Sequence, residues 1–194
     1  MRRLWIADVH ANLPAFEAVV RDAGSVDEVV FPGDIVGCGP HPAACVDLLM
    51  DLDAKAVLGN HDAAILAIAE VTPTRTTPVN WDAWTFDQLS EPQLSYLAAL
   101  PLQLNIDFGG IAAQVMHNPA GAPYLHPAMP DSVLAARLPA LSRAVTLCGH
   151  SHRQIERDLY GHRYVCLPPV GQPRNGDTRA GYAVETDGVL EFRF

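Results

Sequence analysis

Two histidines separated by one serine, His150 and His152, follow directly on the apolar run 144–148. The same arrangement recurs four more times along the 194-residue chain: Asp8 and His10 after 4–7, Asp34 after 29–31, Asn60-His61-Asp62 after 54–58, and His117 after 111–116. Taken singly, each polar residue reads as a helix cap or a turn residue. Taken together, they place carboxylates, an amide oxygen and imidazoles on loops that leave buried strands, and such loops converge at one edge of a layered sheet. A thiolate-free set of this kind suits borderline-to-hard divalent ions such as Mn, Fe, Zn or Ni, and its size suits two ions sharing a carboxylate. Two ions about 3.5–4 Å apart form the clamp used for in-line displacement at phosphorus. Gly33, Gly59 and Gly149 each precede a ligand-type residue, where a missing side chain lets the backbone turn sharply.

The elements that carry these loops follow from periodicity. Residues 4–7, 28–31 and 54–58 read as short buried strands, and they alternate with helices at 14–23, opened by a proline, and 41–52. This strand and helix alternation predicts a parallel layered unit over the first sixty residues. A helix is expected over 62–69 and a Pro/Thr-rich loop over 71–78. Helices are expected at 81–89 and 92–100, the second introduced by Ser90 with Gln93 at capping-box spacing. Beyond residue 101 the chain turns strand-rich, at 102–106, 111–116, 144–148, 154–159, 163–167, 181–186 and 189–194, with one helix at 131–138.

Composition narrows the function classes. The length and a 49% hydrophobic fraction fit a single domain spanning 1–194 with one large core. A net charge of −9 argues against a non-specific nucleic-acid binder, which presents clustered Lys and Arg to phosphates. It leaves room for a small phosphate-ester substrate, because bound ions reverse the local field. No run approaches the length of a membrane helix and the first residues show no signal-peptide core, so a soluble cytoplasmic protein is expected. Cys38, Cys45, Cys148 and Cys166 have no CxxC spacing, and reduced thiols are expected.

The ordered set DVH (8–10), GD (33–34), GNHD (59–62), His117 and GHSH (149–152) closely resembles the calcineurin-like metallophosphoesterases. The stretches DVHANLPAFEAV, GDIVGCGPHP and VGQPRNGDTRAGYAV look like a small prokaryotic branch of that superfamily, and the resemblance covers nearly the whole chain. It implies an α/β fold of two packed mixed sheets with helices on the outer faces, a four-layer αββα sandwich. It also implies a phosphodiesterase or phosphatase that works through a hydroxide bridging two divalent ions. Carried over by position, Asp8, His10, Asp34 and His152 would hold one ion and Asp34, Asn60, His117 and His150 the other, with Asp34 as the bridge. His61 would be the catalytic imidazole facing the leaving group, and Asp62 would orient it or cap the following helix.

Two further residues are candidates for substrate binding: Arg174 in the GQPR segment, as a phosphate contact, and His126 in the loop after His117, as part of the cleft wall. Relatives commonly carry Asn-Pro-Gly-Ser where this chain has Cys166-Leu167-Pro168-Pro169, and an aromatic residue where it has Cys38, so the contacts made there should differ. Phosphoprotein and dinucleoside-polyphosphate phosphatases of the calcineurin type carry an arginine soon after the bridging aspartate, and the stretch 33–39 here has none. A non-enzymatic scaffold on the same fold is disfavoured by the complete ligand set, since gathered polar groups are costly to desolvate without metal.

Overall fold

The computed structural model describes residues 1–68, 81–119, 124–138 and 143–194. Among these residues ten strands form two five-stranded mixed sheets. The first sheet contains β1 (Arg2–Trp5), β2 (Glu28–Phe31), β3 (Lys55–Ala56), β9 (Tyr182–Thr186) and β10 (Val189–Arg193), in the order β10-β9-β1-β2-β3. Its β1, β2 and β3 are parallel, as the alternation with helices predicts. The second sheet contains β4 (Gln103–Phe108), β5 (Ile111–Met116), β6 (Val145–Cys148), β7 (Ile155–Asp158) and β8 (Arg163–Cys166), in the order β4-β5-β6-β8-β7.

The period-2 side-chain alternation sorts each strand between two cores. Leu4 and Ile6, with Val29 and Phe31, face an outer layer that includes Phe16, Val19, Val46 and Leu49 of α1 (Leu13–Ala23) and α2 (Pro42–Asp51). Ile65 of α3 (Asn60–Ala67) and Leu97 of α5 (Glu91–Ala99) join the same layer. Trp5, Ala7 and Val30 point the other way and meet Val115, Val145, Leu147 and Val165 of the second sheet. Cys148, Tyr164 and Cys166 turn away from that interface toward Leu134 of α6 (Asp131–Arg137). The result is the four-layer αββα sandwich. The remaining helix is α4 (Trp81–Asp87). Among the described residues no helix is long and apolar enough to cross a membrane.

Three local differences from the sequence reading have physical causes. The strand expected over 54–58 is only two residues of ladder, prolonged by the Val57 N–H to Phe31 O bond, before the chain turns at Leu58 to donate to Pro101 O. The helix expected from residue 62 starts at Asn60, because Gly59 is its N-cap and Asp62 accepts the Gly59 N–H at 2.9 Å. His61 therefore sits in the first turn of α3 rather than on a turn leading into it. The sequence-predicted cap at Ser90 is present through its N–H, which donates to Gln93 Oε1 at 2.9 Å. The 71–78 loop lies outside the described residues.

Candidate metal centre

The five strand ends do meet, three from the first sheet and two from the second. Asp8, His10 and His152 gather with Asp34 so that one donor atom from each lies within 4.8 Å of the others. His10 Nε2 is 3.0 Å from His152 Nε2 and 3.6 Å from Asp34 Oδ2, and His152 Nε2 is 3.6 Å from Asp8 Oδ1. On the other side of Asp34, His117 Nε2 is 3.1 Å from Asp34 Oδ2, and Asn60 Oδ1 is 2.9 Å from both His117 Nε2 and His150 Nδ1. The polar residues thus divide into two adjoining groups with the Asp34 carboxylate common to both.

The backbone is bent to present them. Asp8, His10, Asp34, His150 and His152 all have left-handed backbones, with φ between 48° and 70°, a region that costs a residue with a side chain of order 1–3 kcal/mol unless its surroundings enforce it. The surroundings here are hydrogen bonds between the loops: Asp8 N–H to Gly33 O at 3.2 Å, His10 N–H to Asp34 O at 3.1 Å, and His150 N–H to Asp8 Oδ1 at 3.0 Å. Gly33 and Gly59 allow the closest approach. A Cβ on Gly33 would lie 2.8 Å from both Gly59 Cα and His117 Nδ1, and one on Gly59 would overlap the Asp34 backbone and carboxylate.

Asp62 is the brace of this structure. Its buried carboxylate accepts the N–H groups of Asp34, Ile35, Val36 and Gly59 at 2.9–3.1 Å. The helix-capping role is therefore present. Asp34 Oδ1 accepts the backbone N–H of His61 at 2.9 Å, while the His61 ring stands edge-on to His10 and against Gly37.

The electrostatics are those of a cage that prefers cations. Asp8 Oδ2 and Asp34 Oδ2 are buried without a hydrogen bond, the latter close enough to His117 for an ion pair but off the line of a hydrogen bond. Burial pushes the Asp8 carboxyl up to about 7, against the pull of His117 and with the help of Asp34. Burial likewise drops His10 to about 3 and His150 and His152 to about 4, leaving neutral imidazoles with free lone pairs. Burial also works against the charge on His117, yet Asp34 overrides it and lifts the group to about 9. Burial works to raise Asp34, but His117 and then His10 hold it below the ordinary carboxylate range. Two of the histidines have a committed outer nitrogen, His152 Nδ1 at 2.6 Å from Gln172 O and His117 Nδ1 at 2.7 Å from Pro32 O, whereas His10 Nδ1 has no partner among the described residues. Each carbonyl fixes the tautomer that leaves Nε2 facing the cage. Neutral imidazoles, orphaned carboxylate oxygens and an amide oxygen together fit divalent ions.

Around the rim, the segment after Cys166-Leu167-Pro168-Pro169 runs back along β1: Val170 N–H donates to Ala7 O at 3.0 Å and Gly171 N–H to Asp8 O at 2.9 Å. This chain therefore makes main-chain contacts to the site just after the two prolines. Cys38 is exposed, and its Sγ comes within 4.8 Å of a nitrogen of His10 and of His61. Arg174 is exposed and sits 4.6 Å over the ring of Tyr124, which is stacked at 4.6 Å and 4° on His150. His126 is also exposed, and its Nδ1 turns back on its own loop to accept the Ala128 N–H at 3.1 Å. Sequence reasoning missed Tyr124 and the four-donor grip of Asp62. The single legible signal was the carboxylate three residues past Gly59.

The family model described as the calcineurin-like phosphoesterase superfamily domain matches residues 1–188. An uncharacterized protein of Methanocaldococcus jannaschii is 30% identical over 209 residues, covering 96% of this chain and 84% of that protein. The crystal structure of a metallophosphoesterase from Sphaerobacter thermophilus is similar at 34% identity and a TM-score of 0.80, over 99% of this chain and 86% of that one. A hypothetical protein of Pyrococcus horikoshii shares the fold at 20% identity and a TM-score of 0.82, over 99% of this chain and 86% of that one.

Proposed function

We infer the activity from one premise: this chain belongs to the calcineurin-like phosphoesterase superfamily. We read it as a hydrolase of a small phosphodiester or phosphomonoester that works with two divalent ions. Asp8, His10, Asp34 and His152 would hold one ion, Asp34, Asn60, His117 and His150 the other. The observation that carries this reading is the pair of buried oxygens Asp8 Oδ2 and Asp34 Oδ2, neither of which accepts a hydrogen bond from the described residues, gathered beside the neutral imidazoles of His10 and His152.

Ions bound there would supply Lewis acidity toward the phosphoryl oxygens and lower the pKa of water in the site. The chain's own residues do the rest. Asp34 spans both groups and so fixes their separation. Gln172 O and Pro32 O hold His152 and His117 in the ligating tautomer. His61, anchored through its N–H on Asp34 Oδ1 and only partly buried, presents its ring to the leaving group and donates the proton that the departing oxygen needs. Arg174 lies at the rim, where its guanidinium neutralises phosphoryl oxygens directed away from the cage.

The test is a metal-supplemented assay of the purified protein against bis-p-nitrophenyl phosphate, p-nitrophenyl phosphate and a panel of cyclic and linear nucleotides. Turnover should vanish on chelation and return with Mn²⁺ or Ni²⁺. Equal turnover before and after exhaustive chelation, with metal absence verified by elemental analysis, overturns the reading.

A further inference from the structure

We propose that the cleft carrying Arg153 and Arg174 is a second anion subsite, which takes the additional phosphates of a condensed phosphate ester such as a nucleoside polyphosphate. This deepens the phosphoesterase reading above and rests on it for the scissile phosphate alone. The cleft has a volume of about 330 Å³ and is lined by His126, Pro127, Arg153, Gln154, Arg174 and Asn175 among others. Among the described residues no acidic side chain lines it, in a chain whose net charge is −9.

Arg153 is the decisive residue. It is partly buried, yet among the described residues it forms neither a hydrogen bond nor an ion pair, whereas Arg3, Arg157 and Arg163 all have carboxylate partners. A guanidinium with no protein acceptor is free to take one from a ligand, and its planar fork matches the two oxygens of a phosphate. Arg174 adds a second fork whose only hydrogen bond among the described residues is to Gln172 Oε1, at 3.1 Å.

Continuity with the cage makes phosphate the anion that fits. Arg153 directly follows His152, and the Arg174 N–H donates to His152 O at 3.3 Å. The Arg174 guanidinium is separated from the His150 ring by Tyr124 alone, at two spacings of 4.6 Å. A chain of phosphates with its scissile group at the ions would extend past Tyr124 into the cleft. These arginines come from the loops after β6 and after β8, so they do not replace the arginine that calcineurin-type relatives carry beside the bridging aspartate; they address a different part of the substrate.

The experiment compares phosphate, pyrophosphate and tripolyphosphate as competitive inhibitors of bis-p-nitrophenyl phosphate hydrolysis by the metal-loaded enzyme, with free metal held constant by buffering. Tripolyphosphate should bind at least about tenfold tighter than phosphate, the size of one charge-assisted contact. Arg153→Ala should erase that ratio and Arg153→Lys should retain part of it. A ratio near one in the native enzyme, or one that survives Arg153→Ala, overturns the subsite and leaves the phosphoesterase reading standing. If no ester is turned over, the phosphoesterase reading falls and calorimetry of tripolyphosphate on the metal-loaded protein decides the subsite. Binding weakened about tenfold by Arg153→Ala supports it; equal binding by both proteins overturns it.

Discussion

The two halves of the cage are built differently. Asp8, His10 and His152 are each at most 1% exposed and offer, with Asp34, two carboxylates and two imidazoles. On the other side, Asn60 is exposed and His150 only partly buried, so that with His117 and Asp34 this half has one carboxylate, a neutral amide and two imidazoles. Burial strengthens the attraction between ligand and ion, and a second carboxylate adds charge. The closed half should therefore bind its ion more tightly and release it more slowly. The open half, next to Tyr124 and the arginine cleft, should be the one at which an ion exchanges with solvent more readily.

A change that strikes both halves at once should have the largest effect. Asp34→Asn removes the carboxylate common to both halves, and elemental analysis should find both ions weakened together, with turnover lost altogether; a variant that still binds two ions normally contradicts the bridging assignment. His61→Ala should leave both halves occupied yet cost about 10²–10⁴ in turnover. That loss should be large for an alkoxide leaving group, which needs a proton, and small for nitrophenolate, which does not. Uniform losses would instead assign His61 to stabilising the phosphoryl oxygens, and a missing ion would make it a ligand.

Asn60→Ala strikes only the open half. Metal titration should show one ion retained and the other weakened by about 10–100-fold, on the scale of lost orienting contacts around a metal. Equal weakening of both ions would mean that the halves are not separable. The smallest effect concerns stability and pH. In the metal-free protein His117 keeps its proton up to about pH 9, whereas the unfolded chain releases it near 6.5. That proton's stabilisation is fully present below pH 6.5 and is lost as pH rises through 9. Asp8, raised to about 7, works in the same direction at the lower edge of this window. Thermal unfolding in chelator should therefore show a falling Tm between pH 6.5 and 9, and saturating metal should flatten the fall; a Tm that rises across this window contradicts the assignment.

Most of this architecture is legible in the sequence because it rests on local patterns. Alternation along 4–7 and 28–31 separates Leu4 and Phe31 from Trp5 and Val30, and the ligand types at the strand ends announce the cage before any contact is known. What escaped depends on distant segments meeting. Nothing around residue 62 signals that its carboxylate gathers the N–H groups of 34–36, since that grip exists only once β2 and β3 lie side by side. Tyr124 belongs to a segment without periodicity, and its stacking on His150 joins residues from separate loops. The left-handed ligands were invisible for a related reason: Asp and His carry no preference strong enough to reveal φ > 0 unless other loops enforce it.

The grip of Asp62 has a mechanical consequence. By holding the N–H groups of residues 34–36 and of Gly59 with one carboxylate, it yokes the loop that carries Asp34 to the turn that carries Asn60 and His61. An ion with a different radius can lengthen or shorten its own bonds, but it cannot draw one loop inward without moving the other. The gauge of the site would then be set by the polypeptide rather than by a bound metal, so the distance from the Asp34 carboxylate to the His61 ring should stay constant whichever ion is loaded.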